Sequence, residues 1–459
     1  MKYRNEADSM GTVRVPQGAY YGSQTQRAKE NFPISGLQFS LPFIHTLAQI
    51  KFHAAQVNLE LMLLDPNIAN AVIRASHEIR EGKFDDQFVV DVFQTGSGTS
   101  THMNLNEVVA GRANEILTGK RGGRSPVHPN DHVNLGQSSN DIFPSAIHVC
   151  GAVLIRTGLI PSLKELHASL TRKATEFASV QKIGRTHLQD ALPISLGQEF
   201  SGYARQVELA IRRIKQSLES LFELPLGGTA VGNGVNTHPE FAGQVIAGIA
   251  DETGLPFVEA KNHFEAQGAQ DASVETSGAL KSAAVGFIKI ANDIRWLASG
   301  PRCGLGEITI PPLQPGSSMM PGKVNPVICE AVIQASMQIM GNDATIAIAG
   351  QGGHFELNTC LPVIAYNLLQ SITLLTGTAR AFSQKCIDGI AANRKACLSG
   401  IDKSLALATL LVPHIGYDRS AALAKKAYES GKTIREIAVD EKILPKALLN
   451  RLFSWDLPD

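Results

Sequence analysis

Residues 199–222 read EFSGYARQVELAIRRIKQSLESLF, with apolar side chains at Phe200, Tyr203, Val207, Ala210, Ile211, Ile214, Leu218 and Leu221. Spacing of three and four is the stripe of a helix with one face turned to a core. Working outward, segments of the same character occupy about 143–178, 193–222, 238–254, 268–300 and 326–393, the last broken near Gly352-Gly353 and Pro362. A helix of ~30 residues is ~45 Å long, well beyond the mean globular helix, so the set predicts an all-α, mainly helical fold built as a long bundle. Segment 268–300 is rich in Ala, Ser and Gly around much of its circumference. A helix that is small or apolar all round belongs inside other helices, which predicts an oligomer whose core one chain cannot supply.

The flanks are different. Residues 1–40 are turn-rich, with Pro16, Gly18, Gly22 and Pro33; from Pro42 helical spacing sets in, resuming after Asp65-Pro66. Past Gly400 the pattern shortens into small helices and a polar tail carrying Trp455. These shifts place domain boundaries near 137 and 395, giving segments 1–137, 138–395 and 396–459.

With 42 basic and 42 acidic residues the chain has no formal net charge, which points away from nucleic acid or an anionic membrane as partner. The six cysteines are scattered without a C-x-x-C, so the expectation is a reducing, cytoplasmic setting with neither zinc site nor disulfide framework. No uninterrupted apolar run reaches the ~18 residues of a membrane span.

The candidate chemistry lies in polar stretches between the helices: TGSGT (95–99), HPND (128–131), SSND (138–141), GRTHLQD (184–190) and GSSMMPGKVNPVICE (316–330). VVDVFQTGSGT imitates a strand entering a dinucleotide turn, but the third glycine is missing and a polar stretch follows. In the last stretch, five residues separate Gly316 from Gly322 where a P-loop has four, and Val324 stands where it needs Ser or Thr. H-E-x-x-H and G-x-S-x-G are both absent. Pro321 and Gly322 break regular structure, and Pro326 suits the first turn of a following helix. A loop feeding a helix N-terminus favours anions, and Lys323 adds a full charge. Hydroxyls, amides and one lysine suit a small doubly charged acid, whose deprotonation beside a carboxylate creates a dianion that fixed donors can stabilise.

At this point the residues resemble a known family. GSSMMPGKVNP is similar to the GSSxMPxKxNP signature of the fumarase and aspartase superfamily, and likeness extends from GTVRVP and YGSQTQR to HIGYD at 414–418. TGSGT, HPNDHVN, SSND, GRTHLQD, LGGTAVGNGVNT, NHFEA (262–266) and GHFELN (353–358) resemble class II fumarate hydratases most. Aspartase-like sequences typically have Gln at the place of His187 and Ala at that of Gly322.

The resemblance implies a three-domain, mainly helical subunit with a long central five-helix bundle, a homotetramer with a twenty-helix core, and active sites shared between subunits. It implies reversible hydration of fumarate to (S)-malate, a step of the tricarboxylic acid cycle, through an aci-carboxylate intermediate and without metal or organic cofactor. Ser317 is then the base at C3, His187 with Glu330 acts on the water at C2, and Lys323 assists. Ser97, Thr99, Ser138, Ser139, Asn140, Thr186, Lys323 and Asn325 match the substrate binders, and His128, Asn130 and Asp131 a second anion site. The alternatives are aspartate ammonia-lyase or another dicarboxylate lyase, and a silent crystallin-like structural protein. The chain departs from the family at Leu135-Gly136, which replaces Lys-Ser and removes a positive charge near the site, at Arg124-Ser125, His263 and Thr359-Cys360.

Overall fold

A computed structural model describes residues 2–454; the Trp455 tail lies outside the described residues. Helices dominate. Five helical runs are the longest: 139–176, which includes a π-turn at Ile155–Leu159, then Leu196–Leu221, Asp271–Leu297, Val327–Gly350 and Leu361–Lys385. Phe200, Tyr203, Val207, Ala210, Ile214, Leu218 and Leu221 are all buried, as the stripe predicts, while Ile211 is half-buried.

The stretch 326–393 breaks near Gly352-Gly353, as expected, into two helices separated by a small hairpin of Gly353–His354 and Leu357–Asn358. Two other expectations need correction. Pro362 does not break the stretch: it is the second residue of the following helix, where a missing N–H leaves no bond unmade. The stretch 193–222 loses its start to a strand, because Gln181–Thr186 and Gln189–Ser195 form an antiparallel hairpin. The 139–176 run is long and apolar enough to cross a bilayer, yet 67% of its most apolar window is buried within the chain, as in a core helix.

The chain divides into two compact units, and each division point falls inside one of the five long runs: unit one comprises 1–161, 212–284 and 337–376, unit two 162–211, 285–336 and 377–459. In unit one, the turn-rich start contains a hairpin of Tyr3–Asp8 with Gly11–Pro16 and a helix, Ser23–Asn31. Helices Leu41–Glu60 and Pro66–Arg80 follow, the second capped by the Asp65 carboxylate, which accepts the N–H of Asn67 at 2.9 Å and of Ile68 at 3.3 Å. Thr99–Thr118 and the short helix Phe241–Thr253 complete its main elements.

Unit two contains the 181–195 hairpin, the 316–326 loop and short C-terminal helices. Those helices have a core of their own, with Ile401, Leu407, Leu411, Leu423, Ile434, Ile437, Leu449 and Phe453 all buried. Thr433 and Glu436 close a capping box at the start of Ile434–Asp440.

Candidate active site

The polar stretches sit at element boundaries, where backbone groups lack intrahelical partners. In unit one Ser97 precedes the Thr99–Thr118 helix, and its Oγ lies 2.7 Å from Thr99 Oγ1. The glycines of TGSGT have steric causes. Gly98 adopts φ +75°, and a side chain there would meet the Phe143 ring at 2.3 Å; one at Gly96 would meet the Thr359 carbonyl oxygen at 1.9 Å. The departure at Thr359-Cys360 thus presses on this loop through backbone.

Ser138 caps the helix Ser139–Leu154 in a capping box: its Oγ accepts the Asn140 N–H at 3.2 Å, while its own N–H donates to Asp141 Oδ1 at 2.9 Å. The other Asp141 oxygen accepts from Gly227 and Thr229 N–H, both at 3.1 Å. Burial raises this carboxyl above its usual range, and the three backbone donors oppose that. Asn140 Nδ2 donates to the Ala230 carbonyl at 2.8 Å, and Ser139 Oγ lies 2.8 Å from His102 Nδ1. Ser97, Thr99 and the Ser138-Ser139-Asn140 run thus occupy two helix starts in unit one.

Sequence reading missed Lys51. It stands in the apolar helix Leu41–Glu60, is buried, and donates through Nζ to Asn134 Oδ1 at 3.0 Å and Gln137 Oε1 at 2.8 Å. An amine therefore grips the segment in which Leu135-Gly136 stands for Lys-Ser, reaching it from another helix. Burial pushes this ammonium well down in pKa, and the Asp141 carboxylate opposes the shift. Gly136 takes φ +73°. The one available signal was a lysine inside FIHTLAQIKFHAAQ, where the helical stripe calls for an apolar residue.

The HPND stretch folds onto its own histidine. His128 Nδ1 accepts the N–H of Asn130 at 3.2 Å and of Asp131 at 3.1 Å, and Arg124 Nη2 donates to Asn130 Oδ1 at 3.3 Å. A basic residue therefore stands beside this turn despite its shifted place in sequence. Burial and then the Arg124 charge lower the His128 imidazole, with Asp131 acting the other way.

Unit two carries the remaining residues. Thr186 ends one strand of the 181–195 hairpin and Gln189 starts the next, so His187 and Leu188 are the turn, at φ +58° and +59°. Two successive positive φ values match a type I′ turn, and two bulky side chains there store strain that the hairpin must hold. A buried charge cluster holds it. Lys182 Nζ lies 3.2 Å from Glu199 and 3.3 Å from Glu307, and Arg185 Nη2 donates to Glu307 Oε1 at 2.6 Å. Lys182 and Glu307 are almost wholly buried, and burial raises the Glu199 carboxyl.

The 316–326 loop is pinned at its base. Gly316 N–H donates to the Lys323 carbonyl at 2.8 Å, and Asn325 Nδ2 donates to the Gly316 carbonyl at 2.6 Å. Inside it, Ser317 Oγ accepts the N–H of Met320 at 2.9 Å and of Met319 at 3.2 Å. Pro326 lies just ahead of the Val327–Gly350 helix, its carbonyl accepting the Glu330 N–H at 3.1 Å, one place earlier than the sequence suggests. Lys323, Asn325 and Glu330 line a cavity of about 780 Å³ with Arg295 and Trp296, two further residues that sequence reading missed. Within one chain no hydrogen bond or ion pair joins His187 to Glu330, both of which are among the described residues.

Comparison with known proteins places this arrangement. A family model described as a lyase matches residues 11–341, and one described as the fumarase C C-terminus matches 407–456. The class II fumarate hydratase of Nitrosomonas europaea is 53% identical, covering 95% of both chains. That of Neisseria meningitidis is 52% identical over 97% of this chain and 96% of its own, and the mitochondrial fumarate hydratase of Mus musculus 49% identical over 97% and 90%. Among solved structures, the class II fumarase of Schistosoma mansoni superposes with a TM-score of 0.96 at 41% identity, covering 99% of this chain and 98% of that one. A protein from Brucella melitensis described as fumarate lyase:delta crystallin gives 0.92 at 43% identity, covering 98% of each. Fold and comparisons together define a mainly helical lyase. More narrowly, the chain belongs to the class II fumarate hydratase family.

Proposed function

We propose that this chain catalyses the reversible hydration of fumarate to (S)-malate by anti addition of water. The observation that carries the reading is the pair of backbone N–H groups aimed at Ser317 Oγ from Met319 and Met320. A serine can take a carbon-bound proton only as an alkoxide, and donors fixed in advance on that oxygen stabilise the charge without reorganisation. Ser317 removes the C3 proton of malate, giving an aci-carboxylate dianion, and Lys323 supplies positive charge to it. His187, oriented by Glu330, protonates the departing hydroxyl at C2, and in the reverse direction activates water. Ser97, Thr99, Ser138, Ser139, Asn140, Thr186, Lys323 and Asn325 hold the two carboxylates, and His128, Asn130 and Asp131 form a second anion site. These steps use only the chain's own groups and call for no metal or organic cofactor.

Assembly belongs to this reading. No hydrogen bond or ion pair joins His187 to Glu330 within one chain, and we take a second copy to bring them together. Exposed apolar and small residues support that: Met337, Met340, Gly341, Ala344 and Ile348 on the Val327–Gly350 helix, and Val285 and Trp296 on Asp271–Leu297. We take the functional form to be a cytoplasmic homotetramer with shared active sites, each chain organised as segments 1–137, 138–395 and 396–459. The test is to follow fumarate absorbance from malate and from aspartate in parallel: malate alone should give signal, and turnover of aspartate alone would favour the ammonia-lyase alternative.

A further inference from the structure

Ser139 is the first residue of its helix, so its hydroxyl has no carbonyl four residues earlier in that helix to bond back to. Its Oγ instead faces His102 Nδ1 at 2.8 Å, and His102 is wholly buried in the Thr99–Thr118 helix. The other ring nitrogen, Nε2, is buried and meets no protein acceptor or donor. A neutral imidazole has one N–H and one lone pair. A buried N–H without an acceptor is rarer in proteins than an under-used acceptor, so the proton belongs on Nδ1, where Ser139 Oγ receives it. The opposite tautomer would draw the serine hydroxyl hydrogen into the imidazole and away from any substrate.

We infer that His102 is a positioning residue which, by donating from Nδ1 to Ser139 Oγ, fixes the Ser139 hydroxyl to donate outward to a substrate carboxylate. The inference rests on the reading of Ser139 as a carboxylate binder. Burial holds His102 neutral, and Lys51 acts in the same direction. Were the imidazole protonated, Nδ1 would still be a donor, so the serine's direction is the same in both states.

The experiment compares steady-state malate kinetics of the full-length wild type with Ser139→Ala, His102→Leu, His102→Asn and the Ser139→Ala/His102→Leu double variant. A lost donor to a charged ligand is worth roughly tenfold in binding, so His102→Leu should raise KM about 5- to 10-fold with kcat changed less than about twofold. Asparagine keeps a short-range N–H donor and should return KM to within about twofold of wild type. In the double variant the leucine should add nothing to the effect of Ser139→Ala, a coupling that general loosening of the fold would not produce. A KM insensitive to His102→Leu where Ser139→Ala raises it, or additive effects in the double variant, would overturn the inference alone. A KM unchanged in Ser139→Ala, or a wild type without malate turnover, would overturn the underlying reading and the inference with it. Should the leucine variant fail to fold, His102→Asn with Ser139→Ala still decides: asparagine must be near-silent, and a rise in KM equal to that of Ser139→Ala contradicts the donor role.

Discussion

The Ser317 hydroxyl oxygen sits 2.9 Å from the backbone nitrogen of Met320 and is its hydrogen-bond acceptor. With the Met319 N–H this forms a small anion nest around the proposed base. Ser317→Ala should therefore lower kcat for malate by about 10³-fold, within the usual range for a lost acid–base group. Light scattering should show unchanged assembly, since the hydrogen bonds of the Ser317 hydroxyl are to its own loop. Loss of assembly together with activity would make the residue structural.

Two glycines of this loop should behave differently on conversion to alanine. At Gly316 a Cβ would meet the Lys323 carbonyl oxygen at 2.5 Å and the Asn325 backbone nitrogen at 2.7 Å, both backbone atoms that cannot swing aside. Gly316→Ala should break the loop base and reduce kcat/KM at least about tenfold. At Gly322 nothing lies within 4 Å, and the only penalty is a φ of +78°. That costs about 1 kcal/mol, so Gly322→Ala should retain most activity. Equal losses in the two variants would refute the account of the pinned base.

Glu307 ties Arg185 and Lys182 together beneath the His187 turn. Without Glu307, Lys182 keeps only the Glu199 carboxylate and the half-buried Arg185 only the more distant one of Asp190, so Glu307→Ala should cost about 2 kcal/mol, read as a lower thermal midpoint. Activity of the folded fraction should fall too, because the strained turn loses its support. A midpoint within a degree of wild type would contradict this.

Stability should also respond to acid through His102. Burial, then Lys51, hold its imidazole below the ordinary value near 6.5, so in this range the unfolded chain binds the additional proton. The His102 contribution is complete above about pH 6.5 and is lost as pH falls towards the folded value, by at most about 1.4 kcal/mol per pH unit. His148 and His128, also lowered chiefly by burial, act in the same sense. Thermal midpoints between pH 7.5 and 5.5 should decline less steeply in His102→Asn, a comparison that separates His102 from Lys51 and Asp141 in the same patch. Parallel slopes would contradict it.

The helices were legible because their stripes are local: the run from Phe200 to Leu221 carries its own period. The 181–195 hairpin was not, since its turn, His187-Leu188, lacks the Asn-Gly chemistry that announces type I′ geometry. Lys182 and Arg185 beneath that turn are tied to Glu307, far away in sequence. The site loops were legible as polar interruptions and by family likeness, but Lys51 and His102 were not. Each belongs to a helix, and only folding shows that they serve the segments 134–137 and 138–140.

The central claim is that this chain adds and removes water across the fumarate double bond with Ser317 as base. The most direct measurement is fumarate absorbance with (S)-malate as sole substrate, for wild type and Ser317→Ala side by side. The account predicts rapid appearance of fumarate with wild type and a loss of about 10³-fold in the variant. No fumarate from malate with the wild type, or equal rates in both proteins, would contradict it.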